Sequence, residues 1–182
     1  MRITSGILKG RTFKVPKEGV RPTTERTREA VFSSIAAYVP EARVLDLFAG
    51  AGSLGLEAWS RGAASITAVE KVSKHWKNLE KNFQSLETAG LGSFQVVRAD
   101  VYDFLKRAAG SFEFDLIFAD PPYDEVDVLR LLNAVGDALA PDGLLVFEMG
   151  KRDSYTLPAE WTCLKEKKYS STQVIFLERN HE

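Results

Sequence analysis

The stretch "FDLIFADPPYDE" (114–125) combines residue types that can hold a flat ring carrying an amino group. An apolar, strand-like run ends at Asp120, and Pro121 and Pro122 then stop the strand because proline has no N–H to donate. The carboxylate and the carbonyls freed from strand pairing accept hydrogen bonds, and the face of Tyr123 can stack on a ring. These four residues predict a site for the exocyclic amine of a nucleobase.

Such an amine reacts poorly because its lone pair is delocalised into the ring. Hydrogen-bond acceptors that bind its two N–H groups hold the amine in line with an electrophile. They also stabilise the positive charge that develops on the nitrogen. Asp120 could also take the proton afterwards. The alternative for this tetrapeptide is purely structural, namely a rigid strand exit capped by a core tyrosine.

A second motif, "LDLFAGAGSLGLEA" (45–58), places Gly50, Gly52 and Gly55 between a predicted strand and a predicted helix. Glycines in this G-x-G-x-x-G spacing permit a tight turn and bring the helix N-terminus close to a ligand. Glu70 ends the next strand about 20 residues later, where a carboxylate can bind both hydroxyls of a ribose. The pattern indicates an adenosine-containing cofactor, although such glycines sometimes serve only helix packing.

Two cofactors fit this pattern, a nicotinamide dinucleotide and S-adenosylmethionine. Asp46 lies in the first strand, where its carboxylate would offset the ammonium and sulfonium charges of S-adenosylmethionine but would repel a pyrophosphate. Asp100 ends the third strand, where it could reach an adenine amino group, cap the helix that begins at Val101, or do both. These acids favour S-adenosylmethionine.

The elements that must position these residues alternate between short β-branched runs and helical periods, which predicts an α/β fold. Strands are predicted at 43–49, 65–70, 94–99, 114–119, 143–149, 161–169 and 172–178, and helices at 53–61, 73–89, 101–108 and 125–139. Ser53, Ser73 and Asp124 are the expected N-caps. The last two strands should form an antiparallel hairpin at one edge of a mostly parallel sheet.

Residues 1–40 form a basic extension ahead of the predicted catalytic core, 41–182, within a single domain of 182 residues. We expect two short strands turning at Lys9–Gly10 and a helix from Thr24 to Tyr38. The first 30 residues carry eight basic and three acidic side chains, whereas the whole chain has a net charge of -1. This basic extension could contact phosphates or could simply be a solvated, charged segment.

Cys163 is the only cysteine, so an internal disulfide and a thiolate metal cluster are both excluded. The chain has no apolar run long enough to span a membrane and no signal-peptide pattern at its start. We expect a cytoplasmic protein without a bound metal.

The motifs together resemble the bacterial 16S ribosomal RNA guanine-N2 methyltransferases. The resemblance rests on "LDLFAGAGSLGLEAWSRGA" with the following "VE", on "FDLIFADPPY", and on the amino-terminal blocks "RITSGILKGRTFKVP" and "RPTTERTREAVF", so it covers nearly the whole chain. It implies a class I, Rossmann-like methyltransferase fold that transfers a methyl group from S-adenosylmethionine to N2 of a guanine in small-subunit ribosomal RNA. Ser170 stands where similar proteins usually have glycine, and Glu25 where aspartate is common.

The resemblance also implies roles for individual residues. The cofactor would contact Asp46, Phe48, Ala49, Gly50, Gly52, Glu70, Lys71, Asp100 and Val101; the target base would contact Asp120, Pro121, Pro122 and Tyr123; the RNA would contact Arg11, Arg21, Thr23 and Arg26. The implied partner is ribosomal RNA in a small-subunit assembly context, bound by a monomer.

Three alternatives stand beside this interpretation. An NAD-dependent oxidoreductase would need a proton donor, but His75 and His181 are both predicted to be surface residues. A non-catalytic nucleic-acid-binding module would have no use for Asp120. A methyltransferase that acts on another base amine, in DNA or another RNA, shares the DPPY motif, although a DNA enzyme usually needs a further domain to identify its target in a duplex.

Overall fold

The computed structural model describes residues 1–122 and 127–180. Seven strands run along it: β1 (Arg43–Leu47), β2 (Ser65–Glu70), β3 (Ser93–Arg98), β4 (Phe114–Ala119), β5 (Leu139–Gly150), β6 (Trp161–Lys168) and β7 (Thr172–Arg179). They form one sheet in the order β3-β2-β1-β4-β5-β7-β6. The first five strands are parallel, and β7 is antiparallel to both β5 and β6. This confirms the predicted α/β sheet and its antiparallel edge hairpin.

Within these described ranges, five α-helices connect or precede the strands: α1 (Glu25–Ser34), α2 (Ser53–Ser60), α3 (Ser73–Leu86), α4 (Val101–Ala108) and α5 (Val128–Gly136). A short 3-10 helix, Ala36–Tyr38, follows α1. The first helix therefore ends earlier than predicted. At Ile35 the backbone leaves the helical region with φ -115° and ψ 17°.

Two of the three expected N-caps are wrong. Gly52 and Val72 occupy the cap positions of α2 and α3 without a side-chain cap, so Ser53 and Ser73 are the first helical residues. Asp124 and the predicted helix start at residue 125 lie outside the described residues. The described part of the last helix is capped by Asp127, whose side chain accepts a hydrogen bond from the Arg130 N–H.

The predicted amino-terminal strands are reduced to a single antiparallel bridge between Arg2 and Thr12, with a turn at residues 7–10 that includes the predicted Lys9–Gly10. The intervening backbone pairs with itself, since the N–H of Ile3 donates to the Arg11 carbonyl at 2.9 Å and the N–H of Gly10 to the Ile3 carbonyl at 2.8 Å, and it also bonds to α2. The N–H of Ile7 donates to the Ser60 carbonyl and the N–H of Leu8 donates to the Ser60 hydroxyl, both at 2.9 Å. The extension is thus shaped by its contact with the core.

Alternate residues of each strand face opposite sides of the sheet, and each side has its own apolar core. Val44 of β1 packs with α1, α2 and α3, whereas Leu45 packs with α4 and α5. The amino-terminal extension contributes Ile3, Leu8 and Phe32 to the first of these cores. It therefore covers the same side of the sheet as α2 and α3.

None of the helices in the described residues is long and apolar enough to cross a membrane.

Candidate cofactor and base site

A cavity of about 660 Å³ lies at the carboxyl ends of β1 to β4. This is the edge at which parallel α/β sheets bind ligands, and β1 and β4 are neighbours there although two other strands separate them in the chain. The volume is within the range that holds a cofactor-sized molecule. Ten of the residues predicted for the cofactor and the base line it: Phe48, Ala49, Gly50, Glu70, Lys71, Asp100, Val101, Asp120, Pro121 and Pro122.

The turn after β1 forms one wall of the cavity. Gly50 has φ +57° and Phe48 has φ 57°, which is an unusual backbone conformation for a phenylalanine. The Glu70 carboxylate fixes this turn, since it accepts hydrogen bonds from the N–H of Gly50 at 2.9 Å and of Val72 at 2.8 Å. Strain at a ligand-lining position is typical of a functional site.

Two residues predicted to contact the cofactor lie behind this wall. Gly52 has φ +87°, and a Cβ there would lie 2.5 Å from Cδ1 of Leu79, so its backbone is packed against α3. The buried Asp46 carboxylate accepts a hydrogen bond from the Gly55 N–H at 3.0 Å. Neither Asp46 nor Gly52 lines the cavity.

Burial raises the pKa of Asp46 to about 8, against the lowering effect of its hydrogen bond from Gly55. The nearby Glu70 carboxylate raises it further. The Asp46 carboxyl therefore binds the first turn of α2 from within the core.

Asp100 has the double position that its sequence context predicts. Its side chain caps α4 by accepting from the N–H groups of Tyr102 and Asp103, and the same carboxylate lines the cavity. Desolvation raises its pKa, but the Tyr102 hydrogen bond and the Lys71 ammonium, 3.3 Å away, outweigh this and hold the pKa below its usual value. Asp100 is thus a fixed negative charge at the cavity edge.

Asp120 follows β4 at the opposite end of the cavity, where it is half-buried beside the buried Pro121. Desolvation raises its pKa well above the usual value, and the carboxylates of Glu148 and Asp46 raise it further, while Arg21 lowers it. Tyr123, predicted to stack on the base, lies outside the described residues.

Glu148 was not identified from the sequence. β4 and β5 pair in parallel up to Ala119 and Phe147, so Asp120 and Glu148 are the next residues on the two neighbouring strands. Glu148 is buried, and its carboxylate accepts a hydrogen bond from the Thr23 hydroxyl at 3.4 Å. The one available signal was a single acid within the apolar run "GLLVFEM" of a predicted strand.

The segment 18–23 lies across the cavity and connects its two ends. Val20 covers the glycine turn, since its Cγ1 lies 3.2 Å from where a Cβ on Gly50 would be. Arg21 lines the cavity and donates to the Ser171 hydroxyl at 2.8 Å, and Thr23 lines it beside Glu148. Arg11 and Arg26 are exposed but do not line the cavity.

His75 corrects the expectation of a surface histidine, because it is buried on α3 and lines the cavity. Its Nε2–H donates to the Glu18 carbonyl at 3.1 Å, which ties segment 18–23 to α3. The sequence prediction was wrong because it relied on the lysine-rich surroundings of His75 in α3, which say nothing of a contact with a residue 57 positions away. His181 lies outside the described residues.

These features fit S-adenosylmethionine better than a dinucleotide. The cavity presents the carboxylates of Glu70, Asp100 and Asp120, which suit hydroxyl, amino and cationic groups and would repel a pyrophosphate. The N–H of Gly50, which a dinucleotide phosphate would need, already donates to Glu70.

Comparisons with known proteins agree with this geometry. The family described as "Conserved hypothetical protein 95" matches residues 1–178. The chain is 35% identical over 170 residues to "Ribosomal RNA small subunit methyltransferase D" of Haemophilus influenzae, covering 92% of this chain and 88% of that protein.

Solved structures are similar over most or all of the chain. "Putative methyltransferase yhhF from Escherichia coli" superimposes with a TM-score of 0.86 at 34% identity, covering 100% of this chain and 99% of that one. "A putative sam-dependent methyltransferase from Streptococcus mutans" has a TM-score of 0.68 at 19% identity, over 85% of this chain and 49% of that one. The fold is therefore the class I, Rossmann-like methyltransferase fold, as predicted.

Proposed function

Because the chain belongs to the Conserved hypothetical protein 95 family, together with ribosomal RNA small subunit methyltransferase D, we propose that it methylates ribosomal RNA with S-adenosylmethionine as donor. The proposed target is the exocyclic N2 amine of a guanine in the small-subunit RNA. The observation that carries the proposal is the single cavity shared by the Gly50 turn and the Asp120–Pro121–Pro122 strand exit.

The Gly50 side of the cavity is the proposed donor site. When bound, S-adenosylmethionine supplies a methyl group on a positively charged sulfur, which leaves as a neutral thioether. Glu70 suits the ribose hydroxyls, and Asp100 suits an adenine amino group, because both are carboxylates on the cavity wall. Segment 18–23 excludes water from above, since Val20 lies directly over Gly50.

The Asp120 side is the proposed base site. Pro121 and Pro122 end strand pairing and line the cavity together with Asp120, so acceptors at this strand exit could bind an amine there. An amine held by Asp120 would donate its two N–H groups to the acceptors. Its nitrogen lone pair would then be free to point to the proposed donor site. Preorganised acceptors of this kind stabilise the positive charge that develops on nitrogen during the transfer.

The RNA would approach the mouth of the cavity, by which we mean the side where the exposed Arg21 lies. The exposed Arg21 side chain donates to the Ser171 hydroxyl, and the backbone N–H of Lys151 donates to the Ser171 carbonyl at 3.1 Å, so both residues contact Ser171. Cationic groups at such a position gain from counterion release on binding RNA. A splayed single-stranded base is the form that a recessed amine site can receive.

Transfer of labelled methyl groups to small-subunit RNA from cells lacking this protein tests the proposal. Wild-type protein should label one guanine, identified as N2-methylguanosine after nuclease digestion and mass spectrometry. Asp120→Ala should abolish transfer and leave S-adenosylmethionine affinity within a few fold by calorimetry. Label on adenine or cytosine would instead assign another base amine, and binding of NAD in place of S-adenosylmethionine would reject methyl transfer.

A further inference from the structure

Glu148 is a buried carboxylate that the proposed reaction does not yet use. Asp46, Asp120 and Glu148 lie on β1, just after β4 and on β5, at positions that face the side of the sheet covered by α1 and α2. Their apolar neighbours two residues earlier, Val44, Phe118 and Val146, all belong to the core on that side. The three carboxylates therefore lie on the same side of three neighbouring strands.

Within this group, Asp120 and Glu148 occupy equivalent positions at the ends of the paired segments of β4 and β5. Ala119 and Phe147 are paired partners on β4 and β5, so the next two residues lie on strands that run about 4.8 Å apart. Asp120 lines the cavity, whereas Glu148 is 8% exposed and lies behind it. From this position, the Glu148 carboxylate can affect a bound amine through the Asp120 carboxylate.

We propose that Glu148 forms with Asp120 a carboxylate pair that receives the proton lost by the target amine when it is methylated. The inference rests on the proposed function, because it assigns the proton that methyl transfer must release. As the amine nitrogen forms its bond to the methyl carbon, the carbon–sulfur bond of the donor would break, its electron pair would stay on the sulfur of the departing thioether, and the nitrogen would become positively charged. One N–H bond then breaks, its electron pair returns to nitrogen, and the proton passes to an Asp120 oxygen.

An isolated aspartate is a weak base for this task. The neighbours of Asp120 make its carboxylate a stronger base because they raise its pKa. Burial and the Glu148 charge both raise the Asp120 pKa, as does Asp46 on β1. Desolvation raises the Glu148 pKa as well, whereas Arg21 lowers the pKa of both members of the pair and so limits the effect. Two like charges held side by side bind one proton between them more tightly than either would alone.

The contacts of Glu148 hold it in place for this role. The Thr23 hydroxyl, from segment 18–23, donates a hydrogen bond to its carboxylate at 3.4 Å, and Thr172 of β7 lies close enough to lower the pKa of the same carboxyl. Tyr169, from the turn between β6 and β7, is a further titratable neighbour; desolvation raises its pKa, and the Glu148 charge raises it further. The Tyr169 hydroxyl is buried and has no hydrogen-bond partner among the described residues. Glu148 is thus a positioning residue that keeps a charge beside Asp120.

The pH dependence of single-turnover methyl transfer tests this role, with Glu148→Gln against the exposed Glu160→Gln as control. Loss of the Glu148 charge should lower the rate at least about tenfold and move the acidic limb of the profile down by about one pH unit. Glu148→Asp should restore much of the rate. A profile with an unmoved acidic limb overturns the proposal.

A second measurement needs no RNA and separates this inference from the proposed function. In protein labelled with ¹³C at the glutamate carboxyls, the Glu148 signal should titrate at a lower pH in Asp120→Asn than in wild type. An equal midpoint in the two proteins overturns the pair. If the midpoint moves but wild-type protein methylates no ribosomal RNA, the pair stands and the proposed substrate fails.

Discussion

Arg28 and Glu57 form a buried ion pair, with 2.9 Å between Nε and Oε2 and both side chains fully buried. The same carboxylate accepts from the backbone of Thr4 and Ser5 and lies 3.1 Å from Nε of Arg61. Glu57 therefore joins the amino-terminal extension to α2. Arg28 belongs to the basic segment that the sequence offers for phosphate contact, yet its charge is used inside the protein.

Arg28→Ala should lower the free energy of unfolding by about 3–5 kcal/mol, because it leaves the Glu57 carboxylate buried without its main partner. Arg26→Ala removes an exposed arginine from the same helix and should change stability by less than about 0.5 kcal/mol. Chemical denaturation followed by circular dichroism measures both. Equal effects from the two substitutions would contradict the buried pair.

Gly52→Ala and Gly10→Ala separate backbone strain from steric contact. Both glycines have positive φ, +87° and +81°, so both alanines cost about 1–2 kcal/mol in the left-handed region. Only at position 52 would the new Cβ meet Leu79, and that overlap should add a further 1–3 kcal/mol or so. Thermal unfolding of the two variants compares them, and similar midpoints would show that the turn is not packed against α3.

Gly19→Ala should weaken binding of S-adenosylmethionine several-fold. Gly19 has φ +73°, and a Cβ there would lie 3.0 Å from Cε1 of His75, so the substitution pushes segment 18–23 away from α3. Calorimetry with the donor measures the effect, with Gly10→Ala as a control for the same backbone strain in open space. Unchanged affinity would mean that the segment does not cover the donor site.

Asp46 should make the cofactor-free protein less stable as the pH rises. Its pKa is about 8 in the folded protein against an ordinary value of 3.8, so between these values the folded state binds more protons than the unfolded state. The free energy of unfolding then falls with increasing pH over this range. Asp46→Asn should be at least about 1 kcal/mol more stable than wild type near pH 8 and should lose this advantage near pH 4. Denaturation at several pH values checks it; a constant difference would contradict the assignment.

Arg21→Glu should weaken RNA binding and reduce its salt dependence, because Arg21 lies at the mouth of the cavity. The slope of log K against log salt should decrease by about 1 for one lost phosphate contact. Arg11→Glu and Arg26→Glu test the rest of the extension, since these exposed arginines lie outside the cavity. If only Arg11→Glu and Arg26→Glu alter the slope of log K against log salt, the RNA lies along the extension and not across segment 18–23.

The sequence alone determined the order of strands and helices, the turn at Gly50 and the strand exit at Asp120. These features are local: strand and helix periods, glycine spacing and proline chemistry act within a few residues of one another. The parallel edge on which Asp120 meets the glycine turn followed from the same pattern, since parallel strands all end on one side of the sheet.

Only the tertiary structure decided which charges remain available for function. Arg28 is paired with a residue 29 positions away, and His75 with one 57 positions away, so neither partner is visible in the surrounding sequence. Glu148 joins Asp120 because β4 and β5 are neighbours in register. Burial and electrostatic coupling depend on such distant contacts, and a local pattern carries no information about them.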